Sequence, residues 1–176
     1  MVSGTSVTVD RGTLPAPAPG FEAWVGTAMT KGRATVRLLA GGMLLGDQTT
    51  LIASNKGIAT GGRFEALGLW GRACGALRVG RFDLGPCLAA EIDRISGVAV
   101  GAIIPIKAAR SWGAGLASAQ ATWAITQRVS VALRIDGVLP LARPSFVLEG
   151  ARADVMVHRP ALVAVRGALG LEMRFF

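Results

Sequence analysis

The sequence has no apolar run long enough for a membrane-spanning helix. Charged residues or glycines cut the apolar stretches well before the roughly 20 residues that such a helix needs. The longest uncharged stretch, Ser111 to Gln127, is itself broken by Gly, Ser, Gln and Thr. Yet 51% of the residues are hydrophobic and the mean hydropathy is +0.48. High hydropathy without a helical span leaves a very apolar soluble fold or a barrel whose outer surface contacts lipid.

Cysteine and histidine are scarce in the chain, and tyrosine is absent. The chain has 2 Cys, 1 His and no Tyr, so it cannot build the usual four-ligand zinc site. Ser145, Glu149 and Asp154 lie near His158, but a lone histidine without a matching serine on a strand is thin evidence for a catalytic triad. The sequence has no nucleophile elbow, phosphate-binding loop or paired metal motif. We therefore predict no catalytic residue, no metal site and no cofactor.

Acidic residues are outnumbered by basic ones. The 11 Asp and Glu face 19 Lys and Arg, which gives a net charge of +8 and a pI of about 11.2. Such a charge can indicate nucleic-acid binding, but that function needs a clustered basic patch with stacking aromatics. Here most arginines occur singly on the polar side of alternating segments. The dispersed pattern predicts no nucleic-acid partner.

Glycine and period-two alternation are abundant. The 24 glycines are scattered along the chain, and a glycine inside a helix costs about 1 kcal/mol relative to alanine. They suit a small barrel, whose strands curve sharply and whose interior is narrow. The clearest alternation runs from Leu162 to Phe176, where one face is apolar and the other carries Arg166, Glu172 and Arg174. These features predict an all-β fold.

Short and long connections alternate between the predicted strands. The short turns lie near residues 30–32, 78–80 and 126–128, and the longer stretches lie near residues 12–20, 46–61, 95–109 and 142–160. Short periplasmic turns, longer external loops and an even strand count are typical of outer-membrane barrels. The pattern predicts an antiparallel up-and-down transmembrane β-barrel of about eight strands. We expect a single barrel domain over residues 1–176, in which residues 1–20 show the strand pattern least clearly.

The polar face of the predicted strands distinguishes a membrane barrel from a soluble one. A soluble barrel places its apolar face inside and usually covers its solvent face with Lys and Glu. Here the polar face is sparse, with Arg, Asp, Glu, Ser, Thr and Gln between small residues, which fits a narrow lumen filled by ion pairs. The predicted luminal charge network is Arg37, Arg72, Glu91, Asp93, Arg134, Asp136, Arg166, Glu172 and Arg174.

The two cysteines, Cys74 and Cys87, flank the predicted turn near Val79 and Gly80. In a tight hairpin of this register they face each other on the luminal side, and this geometry permits a disulfide. The oxidising periplasm favours the disulfide, whereas two buried thiols are the alternative in a cytosolic protein.

Two tryptophans, Trp112 and Trp123, lie near opposite ends of one predicted strand. The aromatic girdles of a membrane barrel are expected at these positions. Ordinary packing of both rings is the alternative, and any girdle is thin because the chain has no tyrosine.

The carboxyl-terminal strand resembles the β-signal that the assembly machinery of Gram-negative outer membranes recognises. The residues in question are Leu169, Leu171, Met173, Phe175 and Phe176, the last of which lies one residue beyond the aromatic in phase with the lipid face. The whole chain resembles a small, eight-stranded outer-membrane barrel. Residues 63–176 resemble a group of Gram-negative barrel proteins that has no assigned activity. The likeness rests on RFEALGLWGRACGALRVGRFDLGPCLAAE, on VHRP at 157–160 and on the ending GLEMRF.

The resemblance implies an outer-membrane location, contact with outer-membrane lipid and lipopolysaccharide, and insertion by the barrel assembly machinery. Residues 1–15 contain no recognisable secretory signal, so we expect that the start of the chain is missing. We expect a non-enzymatic monomer with a structural, adhesive or lipopolysaccharide-binding role, the last through Arg143, Arg152 and Arg159. The alternatives are a lipid A-modifying outer-membrane hydrolase and a soluble β-barrel that binds an apolar ligand.

Overall fold

The computed structural model describes residues 1–52, 60–100, 107–142, 145–148 and 155–175. Their strands are β1 (Val2–Arg11), β2 (Ala18–Lys31), β3 (Ala34–Ile52), β4 (Thr60–Val79), β5 (Phe82–Val100), β6 (Lys107–Ala124), β7 (Val129–Pro140), β8 (Phe146–Leu148), β9 (Val155–His158) and β10 (Ala164–Arg174). Eight of them form a closed antiparallel barrel in the order β1-β10-β7-β6-β5-β4-β3-β2. The prediction of an eight-stranded up-and-down barrel is confirmed.

The barrel closes with a regular stagger. The stagger is found by starting at Ile92 on β5 and moving to the paired residue on each neighbouring strand in turn. This path returns to β5 at Phe82, ten residues before Ile92. A stagger of this kind requires the strands to tilt by about 35–45° from the barrel axis. The eight-stranded wall therefore encloses an interior just wide enough for side chains.

The short connections lie at one end of the barrel, which we call the turn end. Two-residue turns at 32–33 and 80–81 join β2 to β3 and β4 to β5, and residues 125–128 join β6 to β7. Gly32 and Gly80 have φ values of 61° and 62°, a conformation that favours glycine because it has no Cβ. The amino group of Met1 also lies here and donates to the carbonyl oxygen of Phe175.

The strands extend further from the turn end than the sequence predicted. The segments expected as loops at 46–61 and 95–109 are largely strand in β3, β4, β5 and β6, and the expected loop at 142–160 contains the β8–β9 pair. The prediction ended each strand where apolar alternation ended. Backbone pairing continues past that point, for example at Arg63 with Val98 and Glu65 with Ser96, because polar side chains do not interrupt a sheet ladder.

The outward face of the barrel is apolar. Leu69, Ile92 and Leu169 are 64%, 68% and 53% exposed, whereas the inward Arg37 and Arg166 are 1% and 0% exposed. On β4 no outward residue from Val79 to Leu67 is charged. The twelve residue-to-residue steps of about 3.3 Å each, tilted by about 40°, span roughly 30 Å along the barrel axis. This height is close to the apolar band of about 25 Å found on membrane barrels.

The lumen has two kinds of packing. Toward the long-connection end lies an apolar cap that includes Met43, Leu45, Phe64, Ile95 and Trp112, all of them buried. The remainder of the lumen holds buried charges and hydroxyls together with a few apolar side chains, among them Trp24, Leu39 and Trp70. The cap was not predicted, because the alternation was used to find the lipid face, so apolar residues were assigned outward and these inward apolar residues were overlooked. The described part of the chain contains no helix that is long and apolar enough to cross a membrane.

Candidate functional site

The inward positions of the barrel strands carry a network of six arginines and seven carboxylates. The members are Arg37, Arg72, Arg78, Arg134, Arg166 and Arg174 with Asp10, Glu22, Asp83, Glu91, Asp93, Asp136 and Glu172. Strand alternation places these side chains on the side opposite the apolar outer surface. The near balance of charge lets a narrow interior hold so many ions, since each unpaired ion would cost several kcal/mol.

Near the turn end, Arg37 is the centre of the first cluster. Its Nη1 and Nη2 lie 2.8 Å from Glu172 Oε2 and 3.1 Å from Asp83 Oδ2. Arg174 reaches the same Asp83 oxygen at 3.0 Å, and Arg78 Nε lies 2.9 Å from Asp83 Oδ1. Asp83 therefore accepts from three arginines that come from β3, β4 and β10, and the cluster joins strands across the lumen.

The middle of the lumen contains a second cluster. Arg134 Nε lies 2.9 Å from Asp136 Oδ2, and Arg134 Nη2 donates to Glu22 on β2. Arg72 Nη2 lies 3.4 Å from Asp136 Oδ1, and the Arg72 guanidinium carbon is 4.5 Å from the centre of the Trp70 ring. The ring face supplies a cation–π contact to a guanidinium that makes no hydrogen bond to the described residues.

A third cluster is centred on Arg166, below the apolar cap. Arg166 donates to both oxygens of Glu91 at 2.7 and 3.0 Å and to Asp10 Oδ2 at 3.1 Å. Asp93 accepts a hydrogen bond from Trp112 Nε1 at 2.5 Å. Bidentate pairs of this kind combine strength with fixed geometry, so Arg166 joins β10, β5 and β1 through fully buried contacts.

Comparisons with known proteins found similarity of structure only. No family model and no curated protein sequence matches the chain. A major outer membrane protein from Thermus thermophilus matches with a TM-score of 0.60 at 12% identity, over 98% of this chain and 99% of that chain. Ail, the attachment invasion locus protein of Yersinia pestis, was solved with the heparin analogue sucrose octasulfate. It matches with a TM-score of 0.57 at 12% identity, over 99% and 96% of the two chains.

Neisserial surface protein A matches with a TM-score of 0.52 at 9% identity, over 99% of this chain and 95% of that chain. These matches extend over nearly the whole length of each partner. The chain has the fold of a small outer-membrane β-barrel. Identities of 9–12% establish this fold alone, so the role of this barrel depends on its own residues.

The structure places all nine sequence-predicted network residues on the luminal side of the barrel wall. Sequence reasoning missed four partners: Asp10, Glu22, Arg78 and Asp83. Asp10 and Asp83 lie on predicted polar faces, and Glu22 is the only acid on β2, in a largely apolar stretch of that strand. An isolated carboxylate in such a strand is the signal that would have identified Glu22, since burial requires a cationic partner.

Cys74 and Cys87 form a disulfide between β4 and β5, with their Cα atoms 4.0 Å apart. Both residues are buried, and Gln120 Oε1 lies 3.6 and 3.4 Å from the two sulfur atoms. The bridge therefore lies inside the barrel, between the cluster around Arg37 and the cluster around Arg134.

The two girdle candidates differ in orientation. Trp123 is 46% exposed on the outer face and stacks on Phe82, with ring centroids 6.2 Å apart, at the turn end. Trp112 is buried in the apolar cap, so the girdle interpretation of this residue is wrong. The physical reason is the strand period: residues separated by an odd number of positions face opposite sides of a strand.

The residues of the β-signal lie on β10 and just after it. Leu169, Leu171, Met173 and Phe175 face outward and are about half exposed, while Phe176 lies outside the described residues. The alternate positions, Glu172 and Arg174, point into the lumen and join the cluster around Arg37. The terminal strand therefore contributes to both the outer belt and the luminal network.

Two of the four residues named for the catalytic alternative lie within the described residues. His158 ends β9 and Ser145 is exposed, whereas Glu149 and Asp154 lie outside the described residues, as do Arg143 and Arg152. Within the described ranges, no group of three or more His, Cys, Asp and Glu side chains could hold a metal ion. Arg159, the third predicted basic loop residue, is exposed.

Proposed function

We propose that the protein is a non-enzymatic, monomeric outer-membrane barrel that binds lipopolysaccharide phosphates at its external rim. The membrane assignment rests on the inverted burial: leucines, valines and isoleucines face outward while arginines and carboxylates are buried. In water this arrangement would leave a continuous apolar surface exposed around the barrel while the ions are buried. In a bilayer the apolar outer face contacts lipid and the charged inner face is enclosed by the barrel wall.

The plugged lumen supports a structural role over a transport role. Eight strands enclose space for side chains, and here that space holds three ion-pair clusters and an apolar cap. The same contents disfavour a soluble barrel that carries an apolar ligand, since such a barrel needs a hollow apolar interior. We therefore assign function to the ends of the barrel.

The observation that carries the lipid proposal is the position of Arg11 and Arg94. Both side chains are exposed and face outward. Each is the next outward residue after an apolar one, which is Val9 for Arg11 and Ile92 for Arg94. Neither makes an ion pair with the described residues, and cations at this level can contact the phosphates of lipopolysaccharide. Arg159 adds a third exposed cation next to β10. The sulfated heparin analogue in the Ail complex is a polyanion of comparable chemistry.

Native mass spectrometry of the barrel, refolded in neutral detergent, tests the proposal. The ligands are bisphosphorylated lipid A and the same lipid A without its phosphates. At about 1 kcal/mol per cation, the double variant Arg11→Gln/Arg94→Gln should bind the phosphorylated form roughly 30-fold more weakly. The matched control Arg33→Gln/Arg128→Gln removes two turn-end cations and should bind like the parent protein. Equal binding of the two lipids, or equal loss in both variants, would overturn the proposal.

A further inference from the structure

The turn end of the barrel contains an open cavity that the functions above do not use. Its volume is about 860 Å³, and the lining includes Arg78, Arg81, Arg174, Thr126, Ile125 and Phe175. The size lies within the range of pockets that bind ligands in proteins, about 300–1,000 Å³. The cluster around Arg37 closes the inner end of the cavity, because Asp83, Arg78 and Arg174 belong to both.

The exposed charged side chains around this cavity are positive. Each short turn carries an exposed arginine, Arg33, Arg81 or Arg128, and Lys31 is exposed beside the first of them. None of these four side chains forms an ion pair with any residue in the described ranges. Asp83 is the one carboxylate among the described residues of the lining, and it already accepts from Arg37, Arg78 and Arg174. The mouth of the cavity therefore has an excess of cations with unused donors.

We propose that this turn-end mouth binds an acidic peptide segment, through its carboxylates, from a periplasmic partner protein. Its periplasmic orientation rests on the proposed outer-membrane location; the binding itself requires only the folded barrel. Guanidinium groups pair with carboxylates in a bidentate geometry, and the apolar surfaces of Ile125 and Phe175 can contact the peptide's methylenes. The occupant enters from the turn end, because the ion-pair clusters and the apolar cap fill the lumen beyond.

A lipid headgroup fits the same site less well. Lipids pack around the outer face, whereas Arg78 and Arg174 are on inward positions of β4 and β10. A single phosphate or carboxylate would fill only a small part of the cavity. Several carboxylates on one extended chain match both the volume and the ring of cations at the turns.

The test is fluorescence anisotropy of a labelled hexaglutamate peptide with the barrel refolded in neutral detergent, and hexaglutamine is the uncharged control. Folding of every variant is first checked by unboiled gel mobility. We expect saturable binding of hexaglutamate. Its affinity should fall at least tenfold between 50 and 500 mM salt, because salt screens the attraction between the peptide carboxylates and the turn-end cations. The variant Arg81→Gln/Arg128→Gln should weaken it at least tenfold, and the external control Arg94→Gln/Arg159→Gln should leave it unchanged.

Two competition arms distinguish other sources of the anion. Inorganic phosphate at the salt-matched ionic strength should displace the peptide no better than chloride does, and phosphatidylglycerol added to the micelles should not displace it. Displacement by phosphatidylglycerol would assign the site to lipid headgroups and overturn the peptide proposal. Absence of binding, or equal binding of hexaglutamine, would also overturn it. Because no lipopolysaccharide is present, these results are independent of the lipid A experiment.

Discussion

Removal of the Arg166 charge should strongly destabilise the barrel. The variant Arg166→Met keeps much of the side-chain volume and removes the charge that pairs with Glu91 and Asp10, all of them fully buried. Three charge-assisted hydrogen bonds at about 1.5–3 kcal/mol each set an upper limit near 9 kcal/mol. Loss of one partner of a buried ion pair typically costs about 3–5 kcal/mol, and we predict a loss of unfolding free energy in this range.

The assay is urea unfolding of the barrel refolded in micelles, followed by tryptophan fluorescence and by unboiled gel mobility. Arg94→Met is the matched control: it removes an exposed arginine without an ion pair in the described residues, and should change stability by less than about 0.5 kcal/mol. Adding Asp10→Asn and Glu91→Gln to Arg166→Met should restore part of the loss, because the two carboxylates that pair with Arg166 are then neutral. An Arg166→Met barrel as stable as the Arg94→Met barrel would refute the account of the lumen.

Three further predictions also use urea unfolding, in micelles for the cysteine and glycine variants and in liposomes for the Leu169 variants. Cys74→Ser/Cys87→Ser should keep the barrel fold but lower its stability by up to about 3 kcal/mol, as expected for a short disulfide loop, and a reduced parent protein should behave like the variant. Leu169→Arg places a charge in the apolar belt and should cost about 2–4 kcal/mol in bilayers, whereas Leu169→Phe should be nearly neutral. Gly85→Ala should destabilise by about 1–3 kcal/mol, because its Cβ would overlap the carbonyl oxygen of Gly75, and Gly115→Ala, where the Cβ meets open space, should not.

The parts of the fold that could be predicted are those that follow from period-two alternation. The faces of β7 and β10 could be assigned because Arg134, Asp136 and Arg166 interrupt one face only. The register of the β4–β5 hairpin followed from the short turn at Gly80, and the opposition of Cys74 and Cys87 followed from that register. Local geometry determines these features, so the sequence alone was sufficient.

Contacts between distant strands could not be predicted. The pairing of Arg37 with Glu172, or of Arg166 with Glu91, depends on the stagger of ten residues around the closed barrel, which no local pattern reveals. The apolar cap was missed for a related reason. Phe64, Ile95 and Trp112 come together only when β4, β5 and β6 lie side by side in the closed barrel and direct these residues inward.

The central claim is that the apolar outer face contacts lipid, and a spin-label experiment on the lipid-facing residue Leu169 tests it most directly. A nitroxide reagent applied to the Leu169→Cys variant in liposomes reacts at this site alone if Cys74 and Cys87 remain in their disulfide. We predict that the nitroxide at position 169 collides frequently with oxygen, which concentrates in the bilayer, and rarely with a water-soluble nickel chelate. Frequent collisions with the nickel chelate and few with oxygen would place Leu169 in water and contradict the account.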